Sequence, residues 1–180
     1  MEGKEYYRKG QLTLMTGDLE ISLNMFGRAL EKGYKPVKTL LSRGAIHLVI
    51  GDLSKALRDF SWVIAIDDNN ERAFYYRGVT HLKRHDYIQA ATDLDEAISR
   101  NPQRGAAYFA RGLAWTMLGR QERADADFEQ AVKLAPGESR GFRRISGNNR
   151  ELLGRFMHGG WGMFPNIFTE EEIGRIRKWM

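Results

Sequence analysis

Two histidines four residues apart, His81 and His85, are the first side chains whose spacing could do chemistry. On a helix that interval puts two imidazoles on one face, where they could share a divalent metal ion. The residues between them, Leu82, Lys83 and Arg84, offer no carboxylate to act as a base. The chain has no cysteine, which excludes disulfides, thiolate metal sites and a cysteine nucleophile. Gly159-Gly160-Trp161-Gly162 is too irregular to cradle phosphate, and no nucleophile–base set or pair of catalytic carboxylates is visible. The expectation is a protein that is not an enzyme and uses neither metal nor cofactor.

A second set of charged residues is regular. Arg43, Arg77 and Arg111 are each followed sixteen residues later by an aspartate, at Asp59, Asp93 and Asp127. A guanidinium fork binds anions, but a carboxylate at a fixed interval in the same chain is the nearer partner. Three structural Arg–Asp pairs are therefore expected, each fixing the register of two helices. Anion binding by the arginines is the alternative. The first copy carries Lys9 and Met25 and lacks the pair.

The elements that would position these pairs recur every 34 residues. Gly10, Gly44, Gly78 and Gly112 are in phase, each preceded by a cation, and Phe26, Phe60, Leu94 and Phe128 follow with Ala29, Val63, Ala97 and Ala131 just beyond. Such a period marks a stacked-repeat architecture. Within one unit, Phe74, Gly78, His81, Ala90, Leu94 and Ala97 have the spacing of two amphipathic helices joined by a turn near His85–Tyr87. Asn101-Pro102 closes the second helix. Each glycine is expected where the two helices approach too closely for a side chain. The four units are placed at 3–36, 37–70, 71–104 and 105–138. Ser22 stands where other units have alanine, and Gly33 and Pro36 are expected to stop the second helix.

After residue 138 the period fails. Residues 139–158 suit an irregular capping helix over the last apolar face. Residues 159–180 form an aromatic, glycine-containing segment with Trp161, Phe164 and Phe168, followed by a short helix capped at Thr169. The net charge is +5, and residues 139–180 hold eight Lys/Arg against four Glu, or +4 of it. That asymmetry points to an acidic partner or a solvated basic face. No apolar run is long enough to span a membrane. The charged start MEGKEYYRKG has no secretory h-region, so a cytoplasmic location is expected.

The quoted landmarks resemble the tetratricopeptide repeat family. Phe74-x2-Arg77-Gly78-x2-His81, with Ala90-x3-Leu94 and Pro102, is similar to its W-x2-L-G-x2-Y, A-x3-F, P pattern, as is Tyr108-x2-Arg111-Gly112-x2-Trp115 with Ala124-x3-Phe128 and Pro136. The resemblance implies an all-α, right-handed superhelical solenoid of helix–turn–helix repeats. It further implies a concave groove lined by the first helix of each repeat. On that frame the fifth place of each unit is Tyr7, Leu41, Tyr75 and Phe109, and the ninth is Gln11, Ala45, Val79 and Leu113. Lys4, Lys38 and Arg72 would form a rim.

The family's carboxylate clamp uses lysine, asparagine and arginine, and the matching places here hold Tyr7, Gln11, Ser42, Arg72 and Tyr76; only Arg72 has that chemistry, so a chaperone-tail clamp is not expected. The function implied is a scaffold or adaptor that holds a peptide or helix of another protein in an exposed, aromatic groove. The candidate contacts are Tyr7, Gln11, Leu41, Ala45, Arg72, Tyr75, Tyr76, Val79, Phe109 and Leu113. Two alternatives stand beside it. The chain's own C-terminal segment, or that of a second copy, could fill the groove. Alternatively, the basic segment 140–155 could bind nucleic acid or another acidic partner.

Overall fold

The computed structural model describes residues 2–134, which are helical throughout apart from short connections. The chain divides into two compact units, one ending at Asp67 and the next beginning at Asp68. The first unit holds α1 (Gly3–Thr16), α2 (Leu19–Glu31), α3 (Pro36–Ile50) and α4 (Leu53–Ile66). The second holds α5 (Glu71–Lys83), α6 (Tyr87–Arg100), α7 (Gly105–Met117) and α8 (Gln121–Leu134). Among the described residues no helix is long and apolar enough to cross a membrane.

The helices pack first in consecutive pairs, giving the hairpins α1–α2, α3–α4, α5–α6 and α7–α8. The second helix of one hairpin then packs on the first of the next, α2 on α3 and α6 on α7. Phe26, Phe60 and Leu94 are fully buried in the hairpin seams, and Ala29, Val63 and Ala97 lie one turn on, also fully buried. The facing glycines make this possible. A Cβ on Gly10, Gly44, Gly78 or Gly112 would lie 2.7–2.9 Å from the ring or branch of Phe26, Phe60, Leu94 or Phe128. In the first hairpin Ser22 replaces the small alanine without cost, because its hydroxyl donates to the Gly10 carbonyl at 2.7 Å.

Three hairpin turns close on a glycine in the left-handed region, Gly17, Gly51 and Gly119; His85 occupies that place in the third at φ +66°. α5 ends at Lys83, so His85 belongs to the turn and does not share a helix face with His81. Its Nδ1 lies 2.8 Å from the Tyr87 hydroxyl. At the first inter-repeat connection α2 ends at Glu31, and Pro36 is the first residue of α3 rather than a stop for α2. Proline suits that position because its missing N–H would be unpaired there anyway.

Candidate partner-binding faces

The side chains expected to line a groove sit on α1, α3, α5 and α7, the first helices of the hairpins. They are not a free surface. Tyr7, Gln11, Leu41, Ala45, Tyr75, Tyr76, Val79, Phe109 and Leu113 are all at most 6% exposed, and Arg72 is half-buried. Part of the reason is packing within each unit, which a place on a helix does not reveal.

In the first unit Tyr7 stacks between Phe26 and Tyr34, with ring centroids 5.7 Å away in both cases. The Gln11 amide donates to the Tyr7 hydroxyl at 3.4 Å. The Lys35 ammonium lies 6.0 Å from the Tyr7 ring and 5.3 Å from that of Tyr34, within cation–π range. Tyr7, Leu14, Phe26, Ala29 and Ile46 form one core cluster, so Ile46 of α3 completes the core of the first hairpin. Leu41 and Ala45 are buried on the same helix as Ile46.

In the second unit aromatic and cationic groups gather near the starts of α5 and α7. Tyr75 and Tyr76 pack at 5.2 Å. Burial holds the Tyr76 phenol above its usual pKa, and a hydrogen bond from Arg72 partly offsets this. The Arg104 guanidinium lies 5.1 Å over the Tyr75 ring and grips Glu71 through Nε and Nη2 at 2.7 and 2.6 Å. Burial disfavours the charge on Arg104, yet that grip leaves its pKa raised overall. Phe109 meets Phe128 at 5.6 Å, while Val79 and Leu113 are 0% and 1% exposed.

The regular charges lie elsewhere, across each hairpin seam. Arg43 donates through Nε and Nη2 to Asp59 at 2.8 and 2.6 Å, Arg77 to Asp93 at 2.8 and 2.7 Å, and Arg111 to Asp127 at 2.8 and 2.6 Å. All three are bidentate, with the aspartate buried and the arginine half-buried. The bond to Asp59 holds Arg43 above its ordinary pKa, and that to Asp127 does the same for Arg111. Arg111 also bonds Asp95 of α6 through Nη1, so one guanidinium joins α6, α7 and α8.

The Arg104–Glu71 and Arg111–Asp95 bonds were not legible in the sequence, because neither recurs from repeat to repeat. The places of Glu71 and Arg104 carry other residue types in the remaining repeats, so a search for periodic features passes over them. The basic segment 140–155, the capping region 139–158 and the aromatic segment 159–180 lie outside the described residues. Among the described residues no cluster of potential ligands could hold a metal ion.

No curated protein sequence matches the chain. The tetratricopeptide repeat family profile matches residues 75–139. Among solved structures, MamA 41-end from Desulfovibrio magneticus RS-1 superposes with a TM-score of 0.71 at 24% identity, covering 86% of this chain and 90% of that one. YrrB, described as a TPR protein with an unusual peptide-binding site, gives 0.67 at 16% identity over 74% and 69%. The second TPR of Spaghetti (RPAP3), bound to the HSP90 peptide SRMEEVD, gives 0.54 at 28% identity over 56% and 93%. The chain is thus similar to tetratricopeptide repeat proteins in its consecutive helix hairpins, and its residues 75–139 match that family's profile.

Proposed function

We propose that the chain is a non-catalytic scaffold that holds another protein against the first helices of its hairpins, each unit with a face of its own: α1 and α3 in the first, α5 and α7 in the second. The observation that carries this reading is the fold, since one structurally similar protein is described as having a peptide-binding site and another as bound to a peptide. The second unit adds chemistry. Arg72, Tyr75, Tyr76 and Arg104 concentrate rings and guanidinium groups, the residue types that dominate binding hot spots. Only Arg72 fits a carboxylate clamp, so the partner is engaged along its length rather than by a terminal carboxylate. A peptide selected from a random display library tests this by hydrogen exchange on the full chain. Added protection is expected in α1, α3, α5 and α7, and Arg72→Ala should weaken binding by about 1–2 kcal/mol. Protection confined to α2, α4 and α6 would reject it.

The burial of nine of the ten candidate contacts favours a second reading, in which these faces are already covered. Trp161, Met163, Phe164, Ile167 and Phe168, from the same chain or a second copy, are the proposed cover. Each would gain roughly 1.5–3 kcal/mol if fully buried. A chain ending at His158 should then bind the selected peptide more tightly than the full chain. Equal affinity would show that the cover is not this segment.

A further inference from the structure

The same repeat place holds a histidine in two hairpins, His47 on α3 and His81 on α5, and the two imidazoles are partnered differently. His81 points Nδ1 at Asp86 Oδ2, 3.3 Å away, and Nε2 at Asp93 Oδ2, 3.8 Å away. Each ring nitrogen of His81 thus faces a carboxylate. His47 is 8% exposed, and its Nδ1 is wholly buried with no hydrogen-bond partner among the described residues.

The carboxylates equivalent to those beside His81 are present near His47. Asp59 gives both oxygens to Arg43 just as Asp93 does to Arg77, so the two sites differ at the turn aspartate. Asp52 is held by Lys55, whose ammonium takes Oδ2 at 2.8 Å and whose backbone N–H donates to Oδ1 at 3.2 Å. The place of Lys55 is taken by Gln89 in the next hairpin, so no ammonium on α6 draws Asp86 away from His81; Arg84, from the end of α5, shares Asp86 at 3.3 Å. The charged groups that act on His47 are thus Arg43 from its own helix, Asp52 from the turn, and Lys55 and Asp59 from α4; α2, which packs on α3 as well, contributes none among the described residues.

We propose that the second hairpin contains an acid-sensitive joint: proton uptake at His47 loosens the packing of α3 on α4, and Lys55, by holding Asp52, keeps that joint responsive. A buried imidazolium with no acceptor at Nδ1 is costly, and exposing the ring to water relieves the cost. Burial, the largest influence, already lowers the pKa of His47, against the opposing pull of Asp59 and Asp52. The sign follows. An unfolded histidine takes its proton near pH 6.5 while the folded one refuses it, so the unfolded chain binds more protons and stability falls as pH drops through about 6.5. Such a joint acts on α3 whatever partner the scaffold holds.

The test is an NMR titration of the imidazole resonances in the full chain, assigned with His47→Asn. His47 is expected to titrate below the ordinary histidine value. Lys55→Gln should raise that midpoint by letting Asp52 turn to Nδ1, and adding Asp52→Asn should cancel most of the rise. Melting points should agree, with the native chain losing more stability than Lys55→Gln between pH 7.5 and 5.5. A His47 midpoint at or above about 6.5 in the native chain overturns the proposal. So does a Lys55→Gln rise that persists in the double variant, which would leave Asp52 no part in it.

Discussion

A single hydrogen atom decides the hairpin seam at Gly44. Its added Cβ would sit 2.8 Å from Phe60 Cε1 and 3.1 Å from Asp59 Cβ, and both neighbours are themselves buried. The ring has nowhere to retreat without opening the seam, and overpacking of this kind costs about 1–3 kcal/mol. Alanine regains about 1 kcal/mol of helix propensity, so the net loss for Gly44→Ala is expected at up to about 2 kcal/mol. Gly27 of α2 is the control, because nothing lies within 4 Å of its added Cβ. There the propensity gain stands alone, and Gly27→Ala should stabilise by roughly 0.5–1 kcal/mol. Urea unfolding of both variants checks the pair; equal signs would mean the seam is looser than the structure shows. The glycine period was readable in the sequence because a missing side chain has one dominant structural use at fixed spacing. The burial of Tyr7, by contrast, depends on Phe26 and Tyr34, which the periodicity of α1 does not reveal.

Between elements, the bidentate arginines act as rivets. Removing one partner leaves the other charged and half-buried, as with Arg77 if Asp93 is lost. Asp93→Ala should therefore cost about 2–4 kcal/mol, while Arg77→Met combined with Asp93→Leu should recover most of that loss, because no orphaned charge remains. A double variant as unstable as the single one would show that the pair contributes more than charge satisfaction.

The turn between α5 and α6 offers a change of opposite sign. His85 adopts φ +66°, where the other three hairpins place glycine. The left-handed conformation costs an ordinary residue roughly 1–2 kcal/mol, and glycine gives part of that back as unfolded-chain entropy. His85→Gly should raise stability by about 0.5–1 kcal/mol even after losing the contact with Tyr87, and the melting temperature is the measurement. The turn itself was legible near His85–Tyr87. Its left-handed histidine was not, because the 3.6-residue pattern around His81 extends smoothly over it until the helix end is seen. Arg104–Glu71 escaped for a related reason: a bond present in one hairpin leaves no periodic trace.

For the molecule as a whole, charge separates the remaining partner classes. Residues 139–180 carry +4 of the net +5, which leaves +1 for residues 1–138. A segment held by rings and aliphatic side chains on α1, α3, α5 and α7 displaces few counterions, so its affinity should change less than about threefold between 50 and 500 mM salt. A nucleic acid held by the arginines of residues 140–155 behaves otherwise. Each phosphate neutralised contributes a slope of roughly −0.7 to −0.9 in log K against log salt, and five such contacts would cost about 3.5 to 4.5 orders of magnitude over that tenfold range. The measurement is a salt titration of the full chain with the selected peptide and, separately, with a single-stranded oligonucleotide. A flat peptide curve places the partner on the hairpin faces. Oligonucleotide binding that is tight near 150 mM salt and lost in a chain ending at Glu138 would move the function to the basic segment, leaving the repeats to carry it.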